Sequence, residues 1–144
     1  MILINNDCLK ALPTLEEKSI DFILTDIPYG TTACKWDSII PFEPMWNELD
    51  RLIKPNCAIA LFGSEPFSSA LRMSNIKNYK YDWVWQKNNA GNFQLVNYQP
   101  LKIHELVSVF SNKKHHYYPQ GLIECNIIQS NKNKAGSLKH LDSE

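Results

Sequence analysis

The chain has 144 residues, 44% hydrophobic and 11% aromatic, with a formal net charge of zero. That size and composition suit one domain with an apolar core and exclude global disorder. No apolar run reaches the roughly 18–20 residues that cross a bilayer, and Met1–Asp7 lacks the basic start of a signal peptide, so no membrane partner and a cytoplasmic location are expected.

Charge is unevenly placed. Residues 1–72 hold six Lys/Arg against ten Asp/Glu (net −4), and residues 73–144 hold nine against five (net +4), which hints at a polyanion partner for the second half. Cys8, Cys34, Cys57 and Cys125 are scattered without a CxxC pair, so neither a disulfide framework nor a metal site is expected.

In chain order, Ile2-Leu3-Ile4 reads as a first short strand. Asp7 reads as the N-cap of a short helix with Leu9 and Leu12 inward, ending at Pro13. Ile20–Thr25 is almost continuously apolar, the pattern of a central parallel strand covered on both faces, and runs into Asp26. Residues 31–43 read as loop. Pro44 suits a helix's first turn, and Met45, Leu49 and Leu52 follow at helical spacing until Lys54-Pro55-Asn56. Cys57–Phe62 is a second buried strand ending at Gly63, and Ser64 reads as the cap of a helix from Glu65 to about Ser74.

Tyr79–Gln86 predicts a third strand, Asn88–Pro100 a long loop, and Leu106–Phe110 a fourth strand. Lys113–Tyr118 is basic and aromatic, and from Asn126 the chain is rich in Asn, Lys and Ser and is expected to be poorly ordered. Strands alternating with helices imply an α/β sheet, whose ligands bind beyond the carboxyl ends of the strands, where Asp26 and Gly63 fall.

Asp26-Ile27-Pro28-Tyr29-Gly30 is the segment with chemistry in it. A carboxylate is an acceptor only, and Pro28 interrupts regular pairing, leaving the Ile27 carbonyl free beside it. Two adjacent acceptors match the two N–H groups of an amine, Tyr29 offers a ring for stacking, and Gly30 lets the chain turn away. Holding both N–H groups would favour a tetrahedral nitrogen whose lone pair can attack a methyl group, a gain of positioning and electrostatics. An Asp before a Pro is also an ordinary turn starter.

The run Ser19–Gly30 resembles the catalytic motif of the amino-DNA methyltransferases, usually written Asp-Pro-Pro-Tyr, with Ile27 in place of the first Pro. Met45–Lys54, Cys57–Gly63, Tyr81–Lys87 and His104–Phe110 are similar to the segments that follow in that family, so the resemblance covers roughly residues 1–118. It implies a Rossmann-like sheet with helices on both faces, S-adenosyl-L-methionine as methyl donor, and a base flipped from duplex DNA. It further implies that Asp26 and the Ile27 carbonyl grip the amine, that Tyr29 stacks on the base, and, from Asp in the first position, adenine rather than cytosine. Asp7 is a candidate near the cofactor and otherwise a plain helix cap. Phe93 and Tyr98 are candidates for the other side of the base sandwich and otherwise ordinary loop aromatics. His104 and Glu105 resemble a structural pair.

The family's glycine-rich cofactor loop is missing. Gly30, Gly63, Gly91, Gly121 and Gly136 include no GxG. A catalytic motif this near the N-terminus resembles the permuted subgroup, in which that loop lies C-terminal. The expectation is a truncated, split or decayed methyltransferase, with residues 1–112 catalytic and 113–144 opening a target-recognition region or tail. A complementary chain would then carry the loop, and the isolated chain would bind the cofactor weakly. Methylation of a protein glutamine, or a remnant that only binds DNA or a partner chain, are the alternatives.

Overall fold

The computed structural model describes residues 1–123. Its elements are α1 (Cys8–Ala11), β1 (Ile20–Thr25), α2 (Phe42–Leu52), β2 (Ile53–Gly63), α3 (Phe67–Ser74), β3 (Tyr79–Gln86) and β4 (His104–Phe110), with short 3-10 turns at Leu12–Thr14 and Phe93–Leu95. One sheet runs in the order β1-β2-β4-β3. β1 and β2 are parallel, and β4 is antiparallel to both β2 and β3.

The α/β reading holds, and its details follow from the residues. Met45, Trp46, Leu49 and Leu52 line one side of α2 and are buried, as helical spacing requires. Met45, Trp46 and Leu49 pack with Phe67 and Leu71 of α3 onto Ile59, Leu61 and Phe110 of the sheet. Arg51 ties the N-terminal turn to this layer, donating to the Leu12 and Leu15 carbonyls at 2.9 Å each and to Glu48. β2 starts at Ile53 rather than Cys57, because Ile53 already pairs with Ile20; Asn56, with a left-handed φ of 62°, lies in the irregular stretch before pairing resumes at Ala58 opposite Phe22.

Four expectations are corrected. Ile2-Leu3-Ile4 is not a strand: Ile2 and Leu3 are 85% and 83% exposed, and no described strand lies beyond β1 to pair with them. β1 itself is a sheet edge among the described residues, not a central strand. The helices, expected on both faces, pack on one among the described residues: Ile23, Ile59 and Leu61 face them, whereas Phe22 and Leu24 alternate to the other face and are over half exposed. α3 begins at Phe67 with Pro66 at its N-cap, where a missing N–H costs nothing, and Ser64 is not its cap.

The bare face carries a groove of about 860 Å³ whose walls include Phe22, Leu24, Phe62, Trp83, Trp85 and Val107. The segment after β4 lies back on this side, with the His116 N–H on the Asn56 carbonyl at 3.1 Å and the Tyr81 hydroxyl 3.0 Å from His115 Nε2. Among the described residues no helix is long and apolar enough to cross a membrane, and no cluster of His, Cys, Asp or Glu could hold a metal. Cys8, Cys34 and Cys57 are free thiols, while Cys125 and the tail from Asn126 lie outside the described residues.

Candidate active site

The last parallel ladder pair is Thr25 with Leu61, so the chain leaves the sheet at Asp26 just as β2 runs on to Gly63. Asp26 and Ser64 therefore emerge at the same end of adjacent strands, which stand about 4.8 Å apart. β4 begins at this end as well, with Leu106 opposite Gly63. This is the carboxyl end of the parallel pair, the expected place for a ligand.

The sequence-predicted residues are partly brought together. Asp26 is exposed and not turned into the core. Ile27, buried to 9% exposure, anchors its side chain in the core cluster and so fixes this part of the loop against the sheet. Its carbonyl lies beyond the ladder, and none of the loop or side-chain hydrogen bonds among the described residues ends on it. Tyr29 is half-buried, its ring stacked on Phe67 at 5.2 Å with a 24° interplanar angle. Its hydroxyl donates to Asp26 Oδ1 at 2.6 Å. Burial first, then the Asp26 carboxylate, pushes that phenol well above its ordinary range, so it stays protonated and remains a donor. Asp26 Oδ2 has no donor among the described residues.

Asp37 organises this loop, and sequence reasoning missed it. Its buried carboxylate accepts four backbone N–H groups: Tyr29 and Gly30 on Oδ1 at 2.9 Å each, Thr31 and Thr32 on Oδ2 at 2.9 and 2.7 Å. The hydrogen bonds from Thr32, Gly30 and Tyr29 hold its pKa down at about 2. Gly30 takes φ of +68°, and a Cβ there would meet Ile39 Cγ1 at 2.9 Å, so this turn requires glycine. An acidic residue seven places beyond a glycine carries no pattern that would single it out.

The other candidates stand apart. Asp7 caps α1, accepting the Leu9 N–H at 2.9 Å, as its plain structural reading expected. Phe93 and Tyr98 are 67% and 87% exposed on the β3–β4 loop, and no aromatic contact among the described residues joins either to Tyr29. Glu105 pairs with Lys87, consistent with a structural role. Phe67 beneath Tyr29, and the Ser64–Lys102 contact at the end of β2, were not foreseen.

No family model matches the chain, and no curated protein matches it. Solved structures do. The complex of M1.HpyAVI with SAM is similar over 81% of this chain and 58% of its own, at 20% identity and TM-score 0.54. The cytosine-N4-specific PvuII DNA methyltransferase is similar over 76% and 48%, at 14% identity and TM-score 0.60. TTHA0409 of Thermus thermophilus, described as a candidate DNA modification methylase and also seen with S-adenosyl-L-methionine, is similar over 79% and 54%, at 16% identity and TM-score 0.54. The chain spans between about half and three-fifths of the length of these structures. Identities this low establish likeness of fold: the chain has part of the α/β sheet fold that these DNA methyltransferases share.

Proposed function

We propose that this chain carries the base-holding part of a DNA amino-methyltransferase, acting on the exocyclic amine of adenine. The observation behind this reading is that two acceptors on consecutive residues just beyond the carboxyl end of β1, Asp26 Oδ2 and the Ile27 carbonyl, have no donor among the described residues. An NH2 group held by both would lose little freedom on reaching a tetrahedral geometry. Tyr29 fixes the carboxylate from its other oxygen, Phe67 supports the Tyr29 ring, and Asp37 clamps the following amides. These residues orient the amine and exclude competing positions; none forms a covalent bond to it.

S-adenosylmethionine is the proposed methyl donor, since structures of the same fold hold it. The described residues do not supply a cradle for its methionine end. A Cβ at Gly30 would strike Ile39 and one at Gly63 would strike Ser68 Oγ at 2.6 Å, so both glycines serve packing. Gly91 and Gly121 stand in open space, with nothing within 4 Å of such a Cβ, and the described glycines lie too far apart in sequence to form one glycine-rich loop. We therefore assign cofactor holding to a companion polypeptide, docked along the edge of β1 that is unpaired among the described residues and the apolar face beside it. A remnant that binds without catalysis is the second reading, favoured by the same missing cradle.

The test is methyl transfer from tritiated cofactor into duplex DNA, using protein expressed from its own genomic locus so that any companion chain is present. The label is expected on adenine N6 and at background for Asp26→Ala. Label on cytosine N4 would reassign the base. Equal transfer by the variant would remove Asp26 from the reaction, and no transfer by the wild type would leave the remnant reading.

A further inference from the structure

The ammonium of Lys102 reaches the hydroxyl of Ser64, at the carboxyl end of β2 and one strand over from Asp26. Two features set this lysine apart. Its backbone is pinned at the neck of the β3–β4 loop: its N–H donates to Asn92 Oδ1 at 2.7 Å, and its carbonyl accepts the Gly91 N–H at 3.2 Å. Asn92 closes the same neck by donating to the Pro100 carbonyl at 3.1 Å. The side chain is half-buried, yet no carboxylate among the described residues lies within ion-pair distance of it, whereas nearby Lys87 has Glu105.

A partly buried cation whose one polar partner is a neutral hydroxyl is short of negative charge. Lys donates and cannot accept, so Ser64 Oγ is the acceptor, and the hydroxyl proton is left to point away from Lys102. The pair thus presents two kinds of donor, ammonium N–H and hydroxyl O–H, and its ammonium has no acceptor to offer. That is the complement of an oxyanion.

The geometry points to Ser64 and Lys102 as a phosphate-oxygen site that holds the backbone of the nucleic acid beside the base gripped at Asp26. The assignment deepens the function proposed above and rests on it for the identity of the polymer. It does not require that methyl transfer occur. Phosphate contacts set register without reading sequence, so this site would position the strand while Asp26 and the Ile27 carbonyl recognise the base.

The test is duplex binding by fluorescence anisotropy across a salt series, with the full chain, Lys102→Gln, Ser64→Ala, and Lys54→Gln as a control at the far end of β2. Loss of one phosphate contact makes the slope of log affinity against log salt shallower by about 0.9. That change is expected for Lys102→Gln and not for Lys54→Gln; Ser64→Ala, which keeps the charge, should weaken binding with the slope unchanged. In a second arm, inorganic phosphate is titrated against the amide resonances of Ser64 and Lys102. Movement in wild type but not in Lys102→Gln, with no slope change on DNA, would make free phosphate the ligand. An unaltered slope together with unmoved resonances overturns the site. If the slope responds but the wild type transfers no methyl group to DNA, the site stands and the methyltransferase reading falls.

Discussion

Phe67 is the residue on which the proposed site physically rests, and its removal has a calculable cost. The ring is 4% exposed, stacks under Tyr29 at 5.2 Å and lies 6.0 Å from Phe42. Truncating a buried Phe to Ala costs about 3–5 kcal/mol through lost transfer energy and the cavity left behind, of which about 0.5–1.5 belongs to the aromatic pairing. In a chain of 144 residues each kcal/mol moves Tm by roughly 3–4 °C, so Phe67→Ala should melt roughly 10–20 °C lower. Phe67→Leu keeps most of the volume but loses the stack and should cost about 1–1.5 kcal/mol, or roughly 3–6 °C. Thermal unfolding followed by far-ultraviolet circular dichroism measures both. A fall below about 3 °C for Phe67→Ala, or equal falls for the two variants, would refute the packing argument.

Asp37→Asn replaces one acceptor oxygen by an NH2 that faces two backbone donors, so hydrogen exchange at Tyr29, Gly30, Thr31 and Thr32 should accelerate while core amides keep their protection. The same carboxylate gives a pH signature. Its folded pKa of about 2 lies below its ordinary 3.8, so its stabilisation is complete above pH 3.8 and is lost as pH falls through about 2. Acid unfolding of the wild type should steepen in that window, and a variant lacking the carboxylate should lose that component. Arg51→Ala should free the N-terminal turn from α2, seen as new proteolytic cuts between residues 8 and 19 with the sheet intact. Phe22→Lys, on the bare face, should reduce binding of an apolar dye and leave Tm nearly unchanged; a large fall in Tm would mean that this face is packed.

Much of the frame is legible in the sequence because the signals are local. α2 announces itself through Met45, Leu49 and Leu52 at helical spacing, and β4 through its compact apolar run. The end of β1 at Asp26 is legible because Pro28 cannot continue a ladder. What is not legible depends on partners distant in sequence. Ile20–Thr25 is apolar enough for a strand buried on both faces, but no sequence pattern says whether covering segments are at hand, and here Phe22 and Leu24 are bare. Ser64 precedes a helix as a cap should, yet Lys102 claims its hydroxyl from 38 residues away. Asp37 is one acidic residue in a loop until the chain folds four amides around it. The exposed aromatics Phe93 and Tyr98 show the limit from the other side: a loop and its composition are readable, but where its side chains come to rest is not.

The central claim is that Asp26 Oδ2 and the Ile27 carbonyl together recognise an NH2 group, and a pair of duplexes tests it without any methyl transfer. One carries adenine opposite an abasic site, the other carries purine, which is adenine without its amine, at the same position. A hydrogen bond to a charged acceptor is worth about 1.5–3 kcal/mol, so the wild type should bind the adenine duplex roughly tenfold to hundredfold more tightly, and Asp26→Ala should bind both with nearly equal affinity. Equal affinity of the wild-type protein for adenine and purine would contradict the claim.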